Sequence, residues 1–157
     1  MPFHSFLFTT ITAEPYAKRP LNEMNWTRFA LTVLASGIVS SLTDWLFMGD
    51  LLYKKYNTHS EIWRHQGGVG EAQAIAWASP LPFLTCAVFT IVCGRLHLFS
   101  YGATLKLALA AWLMGPFPMI VTNALFLKLQ PQIAASHSLG WLVKLIIAAV
   151  AVVWILR

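Results

Sequence analysis

Charge is what this sequence has least of. Asp, Glu, Lys and Arg together make up 11% of its 157 residues. A soluble domain carries about 25% charged residues, so this chain cannot cover a water-facing surface. Cysteine is scarce too, with Cys86 and Cys93 the two in the chain. Seven residues apart on one helix, they stand about 10 Å from each other at roughly 1.5 Å rise per residue. A disulfide needs a Cα separation of about 4.4–6.8 Å, so they cannot pair with each other and read as small apolar residues of a helix. There is no Gly-rich phosphate loop, no Gly-x-Ser-x-Gly elbow and no heme-type Cys-x-x-Cys-His. The net charge of +5 is scattered between apolar runs, with no basic stripe, which argues against nucleic acid as a partner. It points instead to anionic lipid headgroups.

What the chain does have is apolar length. Apolar residues make up 57% of it, and the mean hydropathy is +0.62. A helical span needs about 20 mainly apolar residues to cross roughly 30 Å of hydrocarbon. Four windows satisfy this, at about 26–48, 73–93, 103–127 and 139–156. A transmembrane barrel needs eight or more alternating segments, and these runs do not alternate. The expected fold is therefore an all-α integral membrane four-helix bundle of up-down topology, filling residues 26–157. The connections at 94–102 and 128–138 are short, so helices two, three and four are expected to be sequential antiparallel neighbours.

Residues 1–25 read as an interfacial or disordered leader. Their apolar stretch, Phe3 to Ile11, is too short to span and lacks the preceding basic residues of a secretory signal. Met24 is an alternative natural start to Met1. The 49–72 connection is long and polar. Within it, Thr58 and Glu61 have capping-box spacing and Gly67-Gly68 can stop a helix, so a short interfacial helix carrying Ile62 and Trp63 fits there; an irregular loop fits equally well. His59, His65 and Glu71 crowd this region, but their spacing matches no metal motif, and neither a metal nor a cofactor is expected.

The distribution of basic residues orients the bundle. Lys18, Arg19, Arg28, Arg95, Lys106 and Arg157 share one side; Lys54, Lys55, Arg64 and Lys128 share the other. The excess favours both termini in the cytoplasm. Trp26, Trp45, Tyr53, Trp63, Tyr101 and Trp141 fall near the expected interfaces, as an aromatic belt would.

Polar residues inside spans are costly and need partners. Asp44 lies near the end of helix one and Lys144 about two turns into helix four, with Asn123 near the end of helix three and His137 at the start of helix four. All four fall in one half of the bilayer, on the side of the 49–72 connection. Equal depth and opposite charge lead us to expect a direct Asp44–Lys144 ion pair. The same half holds two proline pairs, in Trp77-Ala-Ser-Pro80-Leu-Pro82-Phe83 and Trp112-Leu-Met-Gly-Pro116-Phe-Pro118-Met119. Each proline removes a backbone donor and breaks or kinks a helix, and paired broken helices line binding sites in transporters. The expectation is a polar half-membrane pocket with Asp44, Asn123, Lys144 and His137 as ligand-binding residues and Pro80, Pro82, Pro116 and Pro118 in its wall. Structural glue between helices is the plainer reading of the same polar residues. Ser36, Gly37, Ser40 and Ser41 form a small-residue stripe, with Gly37 and Ser41 set for close helix packing within or between protomers.

Two stretches carry a resemblance. One is Gly37-Ile-Val-Ser-Ser-Leu-Thr-Asp44-Trp45-Leu-Phe47-Met-Gly49 with the later Ile62-Trp63-Arg64. The other is Gly115-Pro116-Phe-Pro-Met-Ile-Val-Thr122-Asn123-Ala-Leu-Phe126 with the Leu139-Gly-Trp-Leu-Val run. Together they resemble a family of small four-span bacterial membrane proteins catalogued as a domain of unknown function, although the family pattern is richer in aromatics around Asp44. The resemblance covers residues 24–157. It implies a four-span topology, a start at Met24 and a bacterial inner membrane, and it supplies no activity.

Three functions are open at this point. The first is binding or transport of a small or lipid-like ligand in the half-membrane pocket, with a homo-oligomer expected because four helices rarely enclose a pathway alone. The second is a membrane enzyme on a hydrophobic substrate, with Asp44 or His137 as acid–base group. The third is an accessory subunit docked to a partner membrane protein through its packing stripe. Membrane lipids are partners in all three.

Overall fold

The computed structural model describes residues 25–50, 68–127 and 129–157. Six α-helices make four spans. Helix α1 (Trp26–Asp44) continues as a π-helical stretch, Trp45–Asp50, and forms span one. Span two is α2 (Gly68–Ala78) followed by α3 (Leu81–Arg95), and span three is α4 (Tyr101–Met114) followed by α5 (Pro116–Phe126). Span four is α6 (Pro131–Ala151), closed by a π-helical turn, Val152–Leu156. All four are long and apolar enough to cross a membrane, and no strand occurs among the described residues. The protein is an all-α bundle of membrane-spanning helices.

Local chemistry sets the helix limits. The Asn25 side chain accepts from the Arg28 N–H at 3.1 Å, and Ser100 accepts from that of Ala103 at 3.4 Å; both occupy the orphan donors of a first turn. Pro131 and Pro116 open α6 and α5 at a position where a missing N–H costs nothing. The expected proline breaks occur, between Ala78 and Leu81 in span two and at Gly115 in span three. Span two ends at Arg95 in a Schellman cap: Leu98 N–H donates to Cys93 O at 2.9 Å and His97 N–H to Gly94 O at 3.3 Å. The cap puts His97 at φ 53°, a left-handed conformation usually left to glycine.

Three expectations need correcting. Span two begins at Gly68, not 73, and Gly68, at φ 74°, opens a helix where the Gly67-Gly68 pair was expected to stop one. Span four begins at Pro131, not 139. In both places the apolar window misses the more polar residues at the start of the helix. The third concerns packing. Spans two and three do not pair directly along their lengths; span four packs against each of the others, and α3 and α4 meet chiefly through α6. The leader, Met24, the 58–66 segment with His59 and His65, and Lys128 lie outside the described residues.

Small residues permit this arrangement. The core joins Cys86, Phe89 and Cys93 of α3, Ala108 of α4, and Leu145, Ala148 and Ala149 of α6. Both cysteines are free and fully buried. On α1 the buried face is Thr32, Ser36, Gly37 and Ser40. Thr32 and Ser36 return their hydroxyls to Arg28 O and Thr32 O, so the seam is small without unsatisfied donors. Gly37 is required there. A Cβ on it would stand 2.3 Å from Phe83 Cδ1, so α1 and α3 approach over a residue with no side chain. The opposite faces, including Leu31, Leu34, Leu105 and Leu109, are exposed as a lipid-facing surface must be.

Candidate functional site

Lys144 lies in the middle of α6 with 7% of its side chain exposed, a position that an ammonium tolerates only with a partner. The partner is Asp44. Its Oδ2 stands 2.7 Å from Lys144 Nζ, and its side chain is 31% exposed. Asp44 is the last residue of α1 before the π-helical stretch begins. The same ammonium lies over the Trp141 ring, 4.4 Å from its centroid, a cation–π contact made from one turn earlier on α6. His137 is one turn earlier again and lies within electrostatic reach of Asp44. His137, Trp141 and Lys144 thus follow one another at i, i+4 and i+7 along one face.

Beside this face is a cavity of about 220 Å³ between α5 and α6. Asn123 and His137 are its two strongly polar lining side chains, set among Met119, Ile120, Ile133 and Trp141. The four polar residues expected to converge are therefore divided. Asp44 and Lys144 pair with each other, Asn123 and His137 face the cavity, and Trp141 stands between the two groups, touching the ammonium and lining the cavity.

Trp141 was expected in the aromatic belt. In the structure it also contacts the Lys144 ammonium and lines the cavity, and its spacing from His137 and Lys144 was the signal that could have shown this. The prolines also take a different role: none of Pro80, Pro82, Pro116 and Pro118 lines this cavity. Pro116 acts one step removed, since it opens the helix that carries Met119, Ile120 and Asn123. Sequence reasoning missed a further contact that holds the cavity's helices. Trp112 Nε1 donates to Ser138 O at 2.8 Å, tying span three to span four one residue past His137. Ser138 Oγ is buried beside it with no hydrogen-bond partner among the described residues. Among the described residues, no cluster of His, Cys, Asp or Glu could hold a metal ion. Gly37 does serve close packing, and Ser41 donates its hydroxyl to Gly37 O at 2.8 Å.

Comparison of the chain with family models, with curated proteins and with solved structures finds no match in any of the three.

Proposed function

We propose that the protein binds a small or lipid-like ligand, largely apolar with one hydrogen-bonding group, in the half-membrane cavity between spans three and four. The observation that carries this reading is the lining itself: one amide and one imidazole on an otherwise apolar wall. A few polar groups on an apolar surface is how small-molecule sites fix orientation without losing apolar burial. The Asp44–Lys144 pair supports the site from behind, because it holds the face of α6 that presents Trp141 and His137.

The accessory-subunit reading gains less support, since Gly37 of the small-residue stripe packs against Phe83 of the same chain and Ser36 and Ser40 are buried. By the excess of basic residues at Arg28, Arg95, Lys106 and Arg157, we place that end of the bundle toward the cytoplasm, in the bacterial inner membrane that the resemblance implies. The cavity then opens in the outer half.

Native mass spectrometry of the protein released gently from detergent tests the binding reading. We expect one small-molecule adduct per chain in the wild type, lost in Asn123→Leu/His137→Leu with thermal stability retained. A clean apo mass for the wild type, or an adduct indifferent to both substitutions, would refute the assignment.

A further inference from the structure

Spans two and three part below their connecting loop, and the gap between them is a groove of about 370 Å³. Leu84, Val88 and Val92 of α3 form one wall and Leu107 and Ala111 of α4 the other, with Leu145 of α6 at the floor. Leu84 is 60% and Val88 52% exposed, so the groove opens sideways, where a bilayer would be. From Leu84 to Val92 the helix rises about 12 Å. One leaflet contributes roughly 15 Å of hydrocarbon, half of the usual core thickness. The groove is therefore one leaflet deep.

Its upper end is basic. Arg95 follows Val92 by one turn on the same face of α3, and Lys106 directly precedes Leu107 on the facing wall; both are exposed. Arg28 and Arg157 stand at this end as well, joined by a hydrogen bond of 3.3 Å from Arg28 Nη1 to Arg157 O. Among the described residues the acids are Asp44, Asp50 and Glu71, all toward the opposite end. An apolar slot of leaflet depth that finishes beside two exposed cations has the chemistry of a lipid with a negative headgroup.

We propose that this groove is a specific site for an anionic phospholipid, with one acyl chain lying between α3 and α4 and the phosphate held by Arg95 and Lys106. Ordinary lipid coverage of an apolar surface has no headgroup preference; this site has one because Arg95 and Lys106 flank one end of the slot.

The test is a titration of delipidated protein in detergent with dioleoylphosphatidylglycerol or dioleoylphosphatidylcholine, read by native mass spectrometry. The first phosphatidylglycerol should bind roughly twenty-five-fold more tightly than the first phosphatidylcholine, at a factor of about five for each of the two surface cations. Arg95→Gln/Lys106→Gln should abolish the preference and leave phosphatidylcholine binding unchanged. Val88→Trp, at an exposed position that tolerates bulk, should fill the slot and weaken both lipids. Arg157→Gln, at the same end but away from the slot, should leave the preference intact. Equal binding of the two lipids by the wild type would overturn the proposal. So would a preference that survives the Arg95/Lys106 change, one that falls equally with Arg157→Gln, or binding indifferent to Val88→Trp.

Discussion

Removing one member of the Asp44–Lys144 pair should cost different amounts depending on which charge is left behind. Asp44→Asn leaves an ammonium with 7% of its side chain exposed and the Trp141 ring as a neighbour. Breaking a buried pair in this way costs about 3 kcal/mol or more, and the ring, worth about 1 kcal/mol, is already counted in both states. At roughly 2–4 °C per kcal/mol for a chain of this size, Tm in detergent should fall by roughly 6–12 °C. Lys144→Met leaves a carboxylate whose side chain is 31% exposed near the end of its span, where water and headgroups can reach it. Its cost should be nearer 1 kcal/mol. The double variant removes both charges and fills the site with an apolar chain, so it should sit within about 1 kcal/mol of the wild type or above it. Thermal unfolding of all four proteins in one detergent gives the double-mutant cycle. Additive single effects, or Lys144→Met the more damaging of the two, would refute the reasoning.

Two further perturbations follow from the packing. Gly37→Ala should destabilise by about 2 kcal/mol, because the new methyl meets the Phe83 ring at 2.3 Å; Phe83→Leu in the same chain should recover part of the loss, and thermal unfolding of both checks it. His97→Gly should raise Tm, by about 1 kcal/mol of stability, because the left-handed cap at φ 53° no longer carries a Cβ. An unchanged or lower Tm would show that the His97 ring, 6.5 Å from Phe99, contributes more than the backbone strain costs.

The spans were legible because hydrocarbon imposes a length that no other environment does, and 26–48 and 103–127 lie within a few residues of the helices found. The ion pair was legible as well, since depth along a span follows from counting residues. The helix order around the bundle was not. A short connection such as 95–101 brings two ends together but says nothing about the helices beyond it, and the cap at His97 lets α3 and α4 diverge. The central place of span four had a readable cause that length arguments overlook. It is the most apolar of the four, at a mean hydropathy of 2.5 against 1.4 to 1.8 for the others, and it carries small residues at Ala148, Ala149 and Ala151. The division of the site escaped for a similar reason: Asn123 and Asp44 share a depth, but they approach α6 from different sides.

Span four being the common partner of the other three has a consequence for biogenesis. A chain emerges from the ribosome N-terminus first, so the helix that assembles this bundle is the last to be made. Until it arrives, spans one and two share the α1–α3 seam at Gly37 and Phe83, while the inward faces of α4 and α5 have lipid as their solvent. Asp44 spends the same interval without its counter-charge, and its place at the end of α1 lets the carboxylate wait at the headgroups. Lys144 then enters with the helix that completes the bundle, so assembly and charge neutralisation become a single event.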